Sequence, residues 1–230
     1  MNVRLLFIVL LSASFNHVYS QSNPYGLTVI NSLKEYKEHV AVDSNNALVP
    51  LNGAIPGVVY DIRYATGNNF MLEPMYDRPA AYLRLPAARA LRSVQEELRE
   101  QGLGLKIYDG YRPYAVTVAF YEKVKDSVFV ASPRRGSRHN RGCAVDLTII
   151  DLKTGKELLM PTPYDDFTKK AHTDYAGVSA EAIRNRELLK KLMVKYGFQI
   201  YADEWWHYDF KDWNKFPLMD IPFEQLEALN

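Results

Sequence analysis

The sequence predicts a single α+β domain, with a central, mostly antiparallel sheet and flanking helices. Three observations carry this. The 230 residues are 47% hydrophobic and 24% charged, with 12 Gly and 12 Pro, an ordinary globular composition that excludes disordered, collagen-like and coiled-coil chains. Strand-like and helix-like segments are interspersed, yet their connections are irregular and some are short, which argues against a regular alternating βαβ array. No repeat, low-complexity tract or linker-like shift divides the chain, and about 210 residues bury roughly 70% of their unfolded surface in one core.

The first 20 residues stand apart from that domain. Arg4 is their only formal charge, Leu5–Leu11 is an unbroken apolar run, and Val18-Tyr19-Ser20 supplies small residues at the −3 and −1 positions before Gln21. This is the pattern of a cleaved secretory signal peptide, too short for a membrane span. It predicts a periplasmic or secreted protein whose domain is residues 21–230.

Residues 21–50 read as a polar N-terminal arm with a short helix around Leu33–Val40. Gly57–Arg63 reads as a strand between Pro56 and Thr66-Gly67-Asn68-Asn69. Pro86–Gln101 is the clearest helix, with Pro at its first position, Gly102 past its end, and Ala87, Leu91, Val94 and Leu98 on one face. Leu103–Tyr108 follows as a strand that stops at Asp109-Gly110, and Pro113 opens a helix carrying Val116, Phe120 and Val124. Ala144–Ile150 is a strand and Asp151–Lys156, with Gly155, a turn. Ser179 caps a long helix whose Leu189, Leu192, Met193 and Tyr196 keep helical spacing until Gly197. Phe198–Ile200 then starts the last strand, which leads into Glu204-Trp205-Trp206-His207.

Charge narrows the range of partners. There are 28 basic and 27 acidic residues, and loss of Arg4 with the leader leaves 27 of each. Such a chain has no basic field for nucleic acid and no acidic tail for a cationic partner. Nothing in it calls for an obligate protein partner or stable membrane insertion. Cys143 is the only cysteine, so an exported chain must rely on its core rather than on an internal disulfide.

The chemistry concentrates in two segments. In Ser137-Arg138-His139-Asn140-Arg141-Gly142-Cys143-Ala144-Val145-Asp146, a His and an Asp are separated by a Gly and small residues. Asp146 lies in an apolar strand, where a carboxylate is costly unless its charge is compensated. Its own side of the strand carries Ala144 and Thr148, small enough to leave room for a metal and water. In Glu204-Trp205-Trp206-His207, a Glu three residues before a His makes a base-plus-ligand pair, walled by Trp. A regular strand would put Glu204 and His207 on opposite faces, so the chain must bend or bulge for both to reach one site. Two His and a carboxylate with an open fourth position form the ligand set of a hydrolytic Zn²⁺ site, although spacing alone leaves iron or manganese possible. His39, among Lys and Glu, reads as a surface residue, and His172 and Cys143 read as structural.

The third element is Asp109-Gly110-Tyr111-Arg112-Pro113. An Arg held in a tight strand-to-helix turn can stabilise an oxyanion or hold a carboxylate by bidentate pairing. Alone, the segment would read as a plain turn with a salt-bridging Arg.

Together these segments resemble the zinc D-alanyl-D-alanine dipeptidases of the vancomycin-resistance type, which share a fold with the Hedgehog signalling domain. The pattern S-x-H-x-x-G-x-A-x-D is met from Ser137 to Asp146 and E-x-x-H from Glu204 to His207. Asp61-Ile62-Arg63-Tyr64-Ala65-Thr66, Asn69-Phe70, Leu83-Arg84 and the Tyr-Arg-Pro turn extend the likeness over roughly residues 50–215. The resemblance implies that His139, Asp146 and His207 bind one zinc per chain, that Glu204 is the base and that Arg112 stabilises the transition state. It also implies that Ser137 and Asp165 hold the amino end of a D,D-dipeptide. The Met160-Pro161-Thr162-Pro163 stretch and the export signal depart from the familiar members. The expected activity is hydrolysis of D-Ala-D-Ala in cell-wall peptide turnover or salvage, with charge partners for both free ends. The rivals are a D,D-carboxypeptidase on longer peptidoglycan stems and a non-catalytic wall-binding module.

Overall fold

A computed structural model describes residues 25–125 and 130–229. The proposed signal peptide lies outside the described residues. The chain enters the domain at Ile30, whose amide donates to Leu218 O at 2.9 Å while its carbonyl accepts from Asp220 at 2.7 Å. Helix α1 (Leu33–Val42) follows, capped by Ser32. It buries Tyr36, whose hydroxyl accepts from the Leu48 amide at 2.8 Å. Strand β1 (Leu48–Pro50) then pairs antiparallel with β3 (Tyr82–Arg84), with the short helix α2 (Leu51–Ala54) between them in sequence.

The main sheet has five strands in the order β2 (Val59–Tyr60), β4 (Leu103–Asp109), β5 (Ala144–Asp151), β7 (Glu204–Phe210) and β6 (Phe198–Tyr201). Only β2–β4 is parallel, so the sheet is mostly antiparallel, as α+β patterning predicts. Leu105, Ile107, Leu147 and Ile149 are all fully buried on one face. With Leu91, Val94 and Leu98 of α3 (Leu85–Arg99) and Leu189, Leu192 and Met193 of α5 (Ala180–Lys195), they belong to one continuous core. Both helices form for the reasons read from sequence: α3 has Pro in its first turn, and the Ser179 hydroxyl caps α5 by accepting from Ala182 at 3.1 Å. Helix α4 (Tyr114–Val124) starts after Pro113, and α6 (Phe223–Glu227) closes the described chain. Among the described residues no helix is long and apolar enough to cross a membrane.

Two elements differ from expectation. The strand expected over 57–63 is only Val59–Tyr60. Gly57 sits at φ +80° before it, and beyond Asp61 the chain tightens into a 3-10 turn, Arg63–Ala65, that buries Tyr64. The last strand is a hairpin instead: β6 and β7 meet at Ala202-Asp203.

Register then places the site. In β5–β7 pairing Asp146 lies opposite His207, and in β4–β5 pairing Asp109 lies opposite Asp146 across a bulge between Ile107 and Asp109. Residues directly opposite in an antiparallel pair share a face. Three neighbouring strands thus deliver Asp109, Asp146 and His207 to one side of the sheet.

Candidate metal centre

Each ligand candidate is oriented by a partner behind it. His139 begins a 3-10 turn, His139–Arg141, closed by Gly142 at φ +68°. The turn is strapped down by Asn140, whose amide group donates to Arg112 O at 2.9 Å and to the Thr117 hydroxyl at 2.8 Å. His139 Nδ1 lies 2.7 Å from the Gly110 carbonyl, which only accepts, so Nδ1 carries the proton and Nε2 is free to ligate. His207 Nε2 lies 3.0 Å from Asp209 Oδ1, and by the same reasoning Nδ1 is its free nitrogen. Asp146 accepts a hydrogen bond from the Tyr164 hydroxyl on Oδ2 at 2.9 Å, which leaves Oδ1.

These three atoms converge. His139 Nε2 is 3.2 Å from His207 Nδ1 and 3.4 Å from Asp146 Oδ1, and His207 Nδ1 is 3.0 Å from Asp146 Oδ1. All three residues are buried or nearly so. Lone pairs gathered this closely, with their protons committed elsewhere, call for a cation at their centre. Two imidazoles and one carboxylate with an open position are the donor set of hydrolytic zinc. The three residues are the only such metal-holding group among the described residues.

Glu204 reaches the same place through the irregularity that its spacing demands. Ile200 pairs with Tyr208 but Tyr201 with Glu204, so Trp205, Trp206 and His207 bulge out of the β6–β7 ladder. Glu204 Oε2 comes within 3.9 Å of His207 Nδ1. Burial pushes the Glu204 carboxyl up to about 7, with His207 opposing the shift and Asp146 adding to it.

Arg112 donates from Nε and Nη2 to Asp109 Oδ2 at 3.1 and 2.7 Å. Asp109 Oδ1 in turn accepts from the Tyr76 hydroxyl at 2.8 Å and the Gly110 amide at 2.9 Å. The guanidinium lies over the rings of Phe120 at 4.8 Å and Tyr64 at 5.2 Å. Asp165 sits at φ +60° and accepts from the Tyr64 hydroxyl at 3.1 Å, while its Oδ2 is buried with no partner. Burial pushes its carboxyl up to about 8, reinforced by the Asp146 charge. The Ser137 hydroxyl accepts from the His139 amide at 3.2 Å.

All seven residues singled out from sequence line one cavity of about 420 Å³, with Tyr64, Phe70, Phe120 and Trp206 among its apolar walls. His39 is exposed and His172 stands apart beside Asp203 at 3.8 Å. Cys143 is fully buried, and burial pushes its thiol up to about 12. Sequence reasoning missed Asp209, Tyr164, Asp109 and the Gly110 carbonyl as orienting groups. Asp209 was within reach: two residues past His207 on a strand, it shares that residue's face.

The profile of the family Peptidase_M15, described as D-ala-D-ala dipeptidase, matches residues 44–223. The D-alanyl-D-alanine dipeptidase of Escherichia coli is 31% identical over 176 residues, covering 76% of this chain and 91% of its own. That of Enterococcus faecalis is 32% identical over 190 residues, 73% and 93% of the two chains. Among solved structures, the LD-carboxypeptidase LdcB aligns with 79% of this chain and 77% of its own, at 22% identity and a TM-score of 0.43. The chain belongs to the D-alanyl-D-alanine dipeptidase family.

Proposed function

We propose that this cavity hydrolyses D-Ala-D-Ala to two D-alanines, with His139, Asp146 and His207 holding one Zn²⁺ per chain. The observation that carries this is the convergence of three lone-pair atoms with the Glu204 carboxylate beside them. Zinc in such a set supplies Lewis acidity, polarising a carbonyl and making a water more acidic. Glu204 takes the proton from the attacking water and passes it to the leaving amine, so that the C–O bond forms, the C–N bond breaks and the products are two amino acids. Arg112, rigid against Asp109, faces the negative charge that develops on the carbonyl oxygen. Asp165, with an unpartnered buried oxygen, and Ser137 receive the substrate's ammonium group.

The apolar run Leu5–Leu11 followed by Val18-Tyr19-Ser20 supports export. We infer that the chain is exported and acts on dipeptides released during cell-wall turnover; protein from the native host should begin at or near Gln21, and recovery from the cytoplasm with Met1 intact would contradict export. The activity is tested by assaying D-Ala-D-Ala and L-Ala-L-Ala with and without a chelator. Hydrolysis of the D,D isomer that chelation abolishes and zinc restores supports the reading. Full activity in metal-free protein rejects it.

A further inference from the structure

We propose that Arg138, flanked by Arg135 and Arg141, is the subsite for the C-terminal carboxylate of the dipeptide, in the same cavity that offers Asp165 to its ammonium group. This rests on the D-Ala-D-Ala reading above and adds the residues that recognise the acid end.

The cavity lining carries both signs of charge: Asp165 and Glu204 among the carboxyls, and Arg135, Arg138 and Arg141 among the cations. Arg112 also lines it, but both of its donors named above are spent on Asp109. Asp165 accepts from the Tyr64 hydroxyl, whereas Arg138, in the same cavity, borders Asp209 and Trp213. Arg138 directly precedes His139, and its Nε is 3.6 Å from Asp209 Oδ2, the carboxylate whose other oxygen orients His207.

Arg138 is also underused. Its Nε is buried without a hydrogen-bond partner, and the one nearby carboxylate is already shared with His207. Its guanidinium lies 4.8 Å from the Trp213 ring centre, and that of Arg141 lies 5.5 Å from the same ring. Two cations held against one indole are fixed in orientation, and each raises the electrostatic cost of the other. A planar anion relieves that cost, and a guanidinium fork matches a carboxylate in geometry. The substrate's own C-terminus is a planar anion one residue from the bond to be cut.

The experiment compares D-Ala-D-Ala with D-alanyl-D-alaninamide, which keeps every atom near the scissile bond but lacks the negative charge. Wild-type enzyme should favour the acid in kcat/KM by about 10–100-fold, the worth of a charge-assisted hydrogen bond. Arg138→Gln should erase that preference through KM for the acid, with the amide changed less than about 3-fold and zinc content retained. Arg138→Lys should keep part of it. Arg135→Gln, on an exposed side chain, should lower the ratio by about 2–5-fold and decides the matter if Arg138→Gln does not fold. An unaltered ratio in these variants, an equal loss on both substrates, or a wild-type enzyme indifferent to the charge overturns the subsite. Failure of zinc-loaded wild-type protein to hydrolyse either substrate instead overturns the dipeptidase reading itself.

Discussion

His207 donates its Nε2 proton to Asp209 Oδ1 at 3.0 Å, and this turns Nδ1 toward Asp146 and His139. The contact fixes both the tautomer and the ring plane of a candidate ligand whose strand would otherwise leave it free to rotate. Asp209→Ala should lower zinc affinity by about 10–100-fold. At saturating zinc much of kcat should return, because no group that touches substrate has been removed. Competition with a chromogenic chelator measures the first effect, and unchanged affinity would show that His207 needs no such partner.

Gly142 shows why the motif around His139 demands a glycine. It adopts φ +68°, and a Cβ there would lie 2.5 Å from Leu48 Cδ2 and 3.4 Å from the Arg84 amide. Gly155 has nearly the same φ, +69°, with nothing within 4 Å. Gly155→Ala should therefore cost only the backbone strain, about 1 kcal/mol. Gly142→Ala adds the clash with the arm and should cost about 2–4 kcal/mol in total. Thermal melts of the two variants read the difference, and equal losses would remove the clash from the account.

Asp165 is a carboxyl held where its charge would be costly. Its carboxyl is raised to about 8, so the folded state keeps a proton that an unfolded carboxyl releases near pH 4. The stabilising contribution is complete below about pH 4 and is lost as the pH climbs through about 8. Asp165→Asn removes this dependence. The variant and wild type should melt alike at pH 4 and the variant higher at pH 9, by about 2–4 °C for each kcal/mol released. The same variant should lose kcat/KM on D-Ala-D-Ala through KM. A variant no more stable at pH 9 than wild type would contradict the burial argument.

The candidate metal set was legible in the sequence because it is carried by local patterns. His139, Gly142 and Asp146 fall within ten residues of one another, and Glu204 and His207 within four. The bend that Glu204 and His207 require was also deducible, since alternation in a strand forbids their meeting. The orienting groups were not legible. Tyr164 reaches Asp146 from 18 residues away and the Gly110 carbonyl reaches His139 from 29. Both contacts are made by loop residues, Tyr164 after β5 and Gly110 just past β4, and the place of Asp109 opposite Asp146 depends on the bulge in β4. Register is a property of paired strands, and periodicity along one strand does not contain it. The short β2 has a similar cause. Its apolar run predicts seven residues of strand, but Ile62 and Tyr64 turn inward to the core and end the pairing.

Glu204 carries the central claim, because it separates a working peptidase from a protein that merely holds a metal. Glu204→Gln keeps size and polarity and removes only proton acceptance. Zinc content and kcat on D-Ala-D-Ala, measured together on this variant, test the account most directly. Zinc near one per chain with kcat reduced by about 10²–10⁴-fold is the predicted result. Loss of zinc, which would make Glu204 a support for His207, or turnover close to wild type would contradict it.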